Sequence, residues 1–380
     1  MSLPLSLQRE FLKRGFSRRS FGRIATVLSA GSALPFYNEA ALAQRSYVGE
    51  VPSDSVMINA NENPLGPCRE ALEAMSKILP RGGRYGFGET FRLAQTLAAQ
   101  EGVPGNYVQA FAGSSDPLHR TVLAFSSPSR ALVVADPGYE AGERAADFVG
   151  ARTIKVPLLK DSYAHDVKGM VKAGSSAGVF YICNPNNPTG TLTPRQDIEW
   201  LLANKPAGSI VLLDEAYIHF TNAPRAADLV AKDKDIIILR TFSKIYGMAG
   251  LRAGAAIART DLLEKIRPYG TGFLPVTGMV GATASLEAKS VADERRKIVK
   301  DTREEILAWL AKRGHSAVPS ESNCFMLDVR RPGREFAQAM AREKVYVGRT
   351  WPAWPNHVRI TVGTPEEMGR FKQAFERVTA

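Results

Sequence analysis

Short apolar runs alternate along this chain with segments that have the periodicity of helices. Six runs are continuous, rich in β-branched residues and bounded by Gly, Pro or Asp, as buried parallel strands are. They lie at 131–136, 153–158, 178–184, 210–215, 235–241 and 254–258. Helical segments lie before and between them, at 114–125, 138–150 and 193–204. This alternation predicts an α/β fold with a central, mostly parallel sheet and helices on both faces.

The pattern changes after about residue 285. A long, charged helical stretch runs from Ala284 to Arg313, and two strand candidates follow at 324–329 and 358–363, ahead of a terminal helix. These elements predict a second, smaller α+β domain at the C-terminal end. The predicted divisions are a leader at 1–43, an N-terminal arm at 44–80, a large domain at 81–283 and a small domain at 284–380.

The first 43 residues predict an export signal. Arg18 and Arg19, with Phe21 two residues later, resemble the twin-arginine motif. The apolar stretch Ile24 to Phe36 is shorter than the roughly 20 residues that span a bilayer, so we expect no membrane anchor. The sequence "ALAQ" then predicts cleavage after Ala43. We therefore expect delivery to the periplasm by the twin-arginine export machinery; the alternative is an ordinary amphipathic helix on a cytoplasmic protein.

The amino-acid composition excludes several classes of protein. The 380 residues are 44% hydrophobic and 23% charged, as in a soluble globular protein. The formal net charge of +11 falls to +7 without residues 1–43, and no dense Lys/Arg block remains, so we expect no nucleic-acid partner. Three cysteines without a C-x-x-C pair, and five histidines without ligand spacing, predict neither a disulfide framework nor a metal site.

Polar side chains follow several of the predicted strands. In "IVLLDEAYIHF", Asp214 ends an apolar run, where a carboxylate is costly unless it is paired. A protonated ring nitrogen would pair it, and Tyr217 can donate to an oxygen of the same ligand. The alternative is that Asp214 only caps a helix.

Three other strand ends carry candidate ligand contacts. Asn187 in "YICNPNNPTG" can donate to a phenolate-like oxygen, and Tyr139 in "DPGYEAG" can stack on a flat ring. Ser114 and Ser115 in "AFAGSSDPLHR" open a helix whose backbone N–H groups can bind phosphate. Taken singly, packing in the core or at its rim explains Tyr139 better than ligand stacking does, and a plain serine cap has the same sequence pattern as this turn.

The stretch "RTFSKIYGMAGLRAG" supplies the most reactive candidate. Thr241, Ser243 and Arg252 can hold a phosphate, which leaves Lys244 for other chemistry. A partly desolvated amine beside cations has a lowered pKa, and the neutral amine attacks aldehydes. An amine, a carboxylate for a ring nitrogen, donors for a ring oxygen, a stacking ring and a phosphate cradle together predict a site for pyridoxal 5′-phosphate.

These motifs resemble those of the fold-type-I aminotransferases, and among them the histidinol-phosphate aminotransferase group. The similarity extends from about residue 47 to the end of the chain. The segments that carry it are "NANENPLGP", "AGSSDP", "DPGYEAG", "NPNNPTG", "LLDEAY", "TFSKIYGMAGLRAG", "SNCFMLDV" and "VRITVGTPEEM".

The resemblance implies a role for each matching residue. Lys244 resembles the Schiff-base lysine, Asp214 the partner of the ring nitrogen, and Arg359 the arginine that binds the substrate's anionic group. The remaining cofactor contacts implied are Asn187 and Tyr217 to the phenolic oxygen, Tyr139 to the ring, and Ser114, Ser115, Thr241, Ser243 and Arg252 to the phosphate. Asn63 resembles part of the segment that covers the site.

The resemblance also implies a homodimer with shared active sites. Tyr85 lies where the family has a tyrosine that reaches the cofactor phosphate of the neighbouring subunit. The family's usual "RYPD" is "RYGF" in this sequence, so the direction of the Tyr85 side chain can differ from that in the family.

The implied reaction is ping-pong transamination from an amino acid or amino-phosphate donor to a 2-oxo acid. A decarboxylase, lyase or racemase on the same fold, as in threonine-phosphate decarboxylase-like enzymes, and a non-catalytic exported binding protein are the alternatives. The sequence contains no G-x-G-x-x-G dinucleotide-binding motif, so it does not support a dehydrogenase. Export from the cytoplasm would place the enzyme outside histidine biosynthesis, so the donor stays open.

Overall fold

A computed structural model describes residues 5–17, 39, 42, 51–270 and 274–380. The predicted arginine pair at Arg18 and Arg19 and the predicted cleavage after Ala43 lie outside these residues. Export to the periplasm therefore stays a prediction. Within the described ranges, no helix is both long and apolar enough to cross a membrane.

The described strands and helices follow one another through two domains. The strands are β1 (Val56–Ile58), β2 (Val108–Phe111), β3 (Ala131–Asp136), β4 (Thr153–Pro157), β5 (Ala177–Cys183), β6 (Ile210–Asp214), β7 (Ile236–Thr241), β8 (Gly254–Ile257), β9 (Cys324–Asp328), β10 (Val345–Val347) and β11 (His357–Thr361). The helices are α1 (Leu5–Lys13), α2 (Arg69–Ile78), α3 (Phe87–Glu101), α4 (Ser115–Phe125), α5 (Ala141–Phe148), α6 (Val167–Ala173), α7 (Arg195–Asn204), α8 (Ala227–Ala231), α9 (Thr260–Ile266), α10 (Val276–Glu287), α11 (Val291–Lys312), α12 (Gly333–Arg342) and α13 (Pro365–Thr379).

The large domain is built on a seven-stranded sheet with the strand order β2-β8-β7-β6-β5-β3-β4. Strands β3 to β7 pair in parallel. Every residue of β5, β6 and β7 is buried, so both faces of the sheet are covered. This confirms the predicted α/β fold with a mostly parallel central sheet.

Strand β8 corrects one detail of the sequence analysis. We grouped residues 254–258 with the parallel strands, but β8 pairs antiparallel with both β7 and β2. The connection from β7 contains only a short 3₁₀ turn at Ala249–Leu251. A parallel pairing is usually made through a crossover helix, which the 12-residue connection 242–253 lacks, whereas antiparallel neighbours can be joined without one.

The N-terminal arm touches both domains. Its strand β1 pairs in parallel with β10 of the small domain, with Val56 opposite Val345. Its helix α2 packs against α10 of the large domain. The arm therefore runs across the junction between the domains, which places the segment between β1 and α2 beside the carboxyl edge of the sheet.

The small domain contains the antiparallel pair β9 and β11. The predicted single helical stretch from Ala284 to Arg313 is instead two helices, α10 and α11. The chain leaves the helical conformation at Ala288 (φ −79°, ψ 85°). The break separates the largely buried α10, whose one charged residue is the terminal Glu287, from the highly charged α11.

Candidate active site

One cavity of about 250 Å³ gathers ten of the predicted site residues. They are Ser114, Ser115, Tyr139, Asn187, Asp214, Tyr217, Thr241, Ser243, Lys244 and Arg252. Strands β3, β5, β6 and β7 end at Asp136, Cys183, Asp214 and Thr241. Because parallel strands end at the same edge of a sheet, the side chains that follow them converge there.

Lys244 is buried at this edge, just beyond the end of β7. Its Nζ donates to the carbonyl oxygen of Ala60 at 3.2 Å and lies 5.6 Å from the centroid of the Tyr217 ring. Burial lowers the pKa of Lys244; Glu39 opposes this shift and the charge of Arg359 adds to it. The amine is therefore easier to deprotonate than a surface lysine, as a nucleophile toward an aldehyde requires.

Asp214 is buried at the end of β6. Its carboxylate accepts hydrogen bonds from the Tyr181 hydroxyl at 3.0 Å and from the backbone N–H of Ala216 at 3.1 Å. Burial raises the pKa of Asp214 from 3.8 to about 6, although both hydrogen bonds act in the opposite direction. A cationic ring nitrogen would stabilise the ionised carboxylate, because an unpaired charge at this depth is unfavourable.

The phosphate cradle combines a helix N-terminus with a guanidinium. Helix α4 begins at Ser115, and Arg252 donates to the Ser243 hydroxyl at 3.3 Å and to the Ala112 carbonyl at 3.0 Å. Gly113, which lies between Ala112 and the start of α4, has φ +84°. A Cβ at this position would collide with the Arg252 guanidinium. This cradle suits an anion, which the helix N–H groups and the guanidinium attract together.

Tyr217 is oriented by a residue of the N-terminal arm. The Asn61 side chain donates to the Tyr217 hydroxyl oxygen at 3.0 Å, which leaves the hydroxyl hydrogen to donate elsewhere. The Thr361 hydroxyl donates to the Asn61 side-chain oxygen at 3.1 Å, and the Asn61 backbone N–H donates back to Thr361 at 3.0 Å. The small domain thus fixes a donor of the large domain through the arm.

A second cluster of charge lies beside the cavity. Arg359 is fully buried and donates to the Asn187 side chain at 2.8 Å and to the Asn59 carbonyl at 2.6 Å. It also bonds the Glu39 carboxylate at 2.6 Å. Arg349 reaches the same Glu39 oxygen at 3.2 Å and Glu140 at 2.7 Å. Two arginines converging on one carboxylate form an anion-binding position.

Besides Arg359, two predicted site residues, Asn63 and Tyr85, do not line the cavity. The Asn63 side chain donates to the backbone carbonyl of Ile245 at 3.1 Å, so it holds the chain beside Lys244. Tyr85 is 76% exposed, and its ring lies 6.0 Å from that of Phe87. A contact of Tyr85 with a neighbouring subunit's cofactor stays a prediction.

Four residues of the site were not predicted from the sequence: Tyr181, Asn61, Arg349 and Glu39. Tyr181 could have been found, because a hydroxyl in a fully buried strand needs a partner and Asp214 ends the adjacent strand. Asn61 lies in the quoted "NANENPLGP". Arg349 follows the apolar "VYVG" without a recognisable motif, and Glu39 lies in the predicted leader. Among the described residues, no three His, Cys, Asp or Glu side chains form a metal site.

Comparisons with known proteins agree with this geometry. The family model for class I and II aminotransferases matches residues 53–375. A protein from Nitrosococcus oceani named histidinol-phosphate aminotransferase 1 is 33% identical over 333 residues, which cover 85% of this chain and 89% of that protein. A crystal structure from Erwinia carotovora atroseptica, provisionally assigned as a histidinol-phosphate aminotransferase, has a TM-score of 0.82 at 32% identity, covering 87% of this chain and 98% of that one.

A further structure shares the fold. Histidinol-phosphate aminotransferase from Sinorhizobium meliloti, in complex with pyridoxal 5′-phosphate, has a TM-score of 0.80 at 24% identity and covers 90% of this chain and 95% of its own. The fold and the site define the type I aminotransferase class. The chain belongs to the class I and II aminotransferase family, and it is a transaminase dependent on pyridoxal 5′-phosphate.

The residues of the cavity fit that cofactor. Lys244 offers the amine for its aldehyde, and Asp214 offers the carboxylate for its ring nitrogen. The start of α4 and Arg252 offer the cradle for its phosphate, which the missing Cβ at Gly113 leaves open. Tyr139 lines the same cavity as an aromatic partner for its ring.

A first prediction concerns the buried Asp214 carboxyl in protein without cofactor. The folded state keeps the Asp214 proton up to about pH 6, whereas the unfolded chain loses it near 3.8. The free energy of unfolding should therefore fall as pH rises through this window, by roughly 3 kcal/mol from this group. Asp214→Asn should lack that fall.

The test compares denaturant unfolding of the cofactor-free wild type and of Asp214→Asn between pH 4 and pH 8. Their difference in free energy of unfolding cancels the other titrating groups, and it should grow in favour of the variant with rising pH. A difference that stays constant across this range would show that burial of Asp214 carries no such penalty.

Proposed function

We propose that this aminotransferase moves an amino group from a donor with a carboxylate or phosphate group to a 2-oxo acid, with Lys244 as the proton-transferring base. The observation that carries the proposal is the placement of a buried amine of lowered pKa in one cavity with Asp214, beside the anion-binding Arg359. Amine, carboxylate and guanidinium are the three groups that such a reaction needs from the protein.

Each residue has a definite task in this proposal. Lys244 would hold the cofactor through its aldehyde and, with a donor bound, would take the proton from the donor's Cα. Asp214 keeps the ring nitrogen protonated. The bound cofactor supplies an electron sink for the electrons left at Cα. Asn187 and Tyr217 would hold the ring by donating to its phenolic oxygen.

Arg359 sets the class of substrate. Its planar guanidinium matches a carboxylate or a phosphate through two parallel hydrogen bonds. Arg349 adds a second buried positive charge at the same position. We therefore expect a donor and an acceptor that both present an anion there. Histidinol phosphate is one donor to test, because the relatives reported above are named for it.

A panel of amino donors against 2-oxoglutarate tests this function. It should contain histidinol phosphate, aromatic amino acids, aspartate and basic amino acids, with glutamate formation as the measurement. We expect transfer from at least one anionic donor, and its loss by several orders of magnitude in Lys244→Ala, because Lys244 supplies the amine of lowered pKa in the cavity. A matched control is Lys289→Ala, which changes a lysine outside the cavity.

The same panel distinguishes the alternative reaction. A decarboxylase or lyase on this fold would release carbon dioxide or ammonia from the donor without any oxo acid. That release in the absence of glutamate formation, or wild-type turnover by Lys244→Ala, would contradict the proposal.

We also propose that the enzyme is a homodimer. Leu72, Leu79, Tyr85, Phe87 and Phe91 are large apolar side chains within one stretch of the chain, and each is between 53% and 76% exposed. So much exposed apolar surface is typical of a protein–protein contact. The stretch also holds Tyr85, for which the sequence analysis predicted a contact with the neighbouring subunit.

The dimer prediction is tested by Phe87→Glu combined with Phe91→Glu. Two buried carboxylates would oppose association, so the wild type should sediment as a dimer at micromolar concentration and the variant as a monomer. Leu159→Glu is the control, since Leu159 is 41% exposed and follows β4 at the opposite edge of the sheet from β2 and its neighbour α3. A monomeric wild type, or a dimeric double variant, would refute this interface.

A further inference from the structure

Glu39 occupies the anion-binding position, although it lies outside the part of the chain that matches the family. The family match begins at residue 53. The Glu39 carboxylate nevertheless lines the cofactor cavity and bonds Arg359 at 2.6 Å and Arg349 at 3.2 Å. Its other oxygen accepts from the Asn187 side-chain amide at 3.3 Å. These are the contacts expected of a substrate's carboxylate.

The electrostatics of this contact favour an ionised carboxylate. Burial by itself would raise the pKa of Glu39, but the charges of Arg359 and Arg349 lower it to about 2. Glu39 therefore carries its negative charge at every pH at which the enzyme would work. It also opposes the lowering of the pKa of Lys244.

Neighbouring parts of the N-terminal segment are bound to the body of the protein as well. Leu42, three residues after Glu39, is fully buried. Farther upstream, Phe11 and Phe16 are buried, and Arg14 donates to the carbonyls of Leu123, Ala124 and Ser126 at the end of α4. A guanidinium at the C-terminus of a helix is stabilising. The Glu39 contact thus belongs to a segment that packs at separate places.

We propose that Glu39 is an internal ligand that fills the substrate's anion-binding position while residues 1–43 remain attached. Removal of the predicted leader then frees Arg359 and Arg349 for the substrate. This inference rests on the proposed function, since it takes Arg359 as the partner of the substrate's anion. It assigns to residues 1–43 a second role besides their predicted role in export. Until they are removed, they lower the affinity of the enzyme for its substrate.

The size of the effect follows from competition within one molecule. A tethered group competes at a high effective concentration, in the millimolar range for short flexible linkers. If Glu39 occupies the position nine-tenths of the time, the apparent dissociation constant of a competing anion rises about tenfold, because only the remaining fraction can bind. Higher occupancy would raise it further, in inverse proportion to the fraction of molecules in which the position is free.

The test measures anion binding to the cofactor-loaded enzyme by titration calorimetry. Succinate and inorganic phosphate are used in separate titrations, since neither can undergo amino transfer and together they distinguish a carboxylate from a phosphate preference. Three forms are compared: the full chain, Glu39→Gln in the full chain, and a chain that begins at Gln44. The control is Glu10→Gln, which changes an exposed glutamate of the same N-terminal segment.

We expect Glu39→Gln and the shortened chain to bind at least one probe about tenfold or more tightly than the full chain, with Glu10→Gln like the full chain. The kcat/KM of an active anionic donor should rise by a similar factor. Equal affinities in all forms, or tighter binding only in the shortened chain, would overturn the assignment to Glu39. Weaker binding by Glu39→Gln would also overturn it, since Glu39 would then support the site.

The binding readout separates this inference from the proposed function. If no donor supports transamination but the affinities differ as expected, the proposed function fails and Glu39 remains an internal ligand. If transamination occurs and the affinities are equal, the proposed function stands and Glu39 is not an internal ligand.

Discussion

Charged side chains buried at the carboxyl edge of the sheet need partners, and this requirement connects the fold, the cofactor and the substrate. Lys244, Asp214 and Arg359 are all less than a tenth exposed there. A charge removed from water is unfavourable unless an opposite charge and hydrogen bonds compensate it. The protein compensates each of them only in part. The cofactor's aldehyde and ring nitrogen, and the substrate's anion, complete the arrangement.

The sheet holds these groups in place by strand alternation. Asp214 faces the cavity, whereas the next residue, Glu215, points to the other side and forms a buried ion pair with Arg240 of β7. Arg240 also bonds Glu101 at 3.2 Å, at the end of α3. This second cluster joins β6, β7 and α3 behind the site. We infer that it fixes the relative positions of Asp214 and Lys244, which follow the same two strands.

Much of this arrangement could be predicted from the sequence, because strands and strand ends are local features. The continuous apolar runs predicted the strands of the sheet, and the polar residues at their ends predicted which side chains line the cavity. The direction of β8 could not be predicted, since it depends on the connection and the pairing rather than on composition. Arg349 and Glu39 were missed for a related reason: they meet Arg359 through contacts between segments distant in the chain.

The central claim, that the cofactor is attached to Lys244 at the end of β7, can be tested by borohydride reduction of the loaded enzyme followed by peptide mass spectrometry. Reduction makes the lysine–cofactor bond permanent. We predict one modified peptide, with the added mass on Lys244, and loss of the cofactor's visible absorbance in step with the modification. Attachment to a different lysine, or no covalent adduct at full cofactor occupancy, would contradict the account.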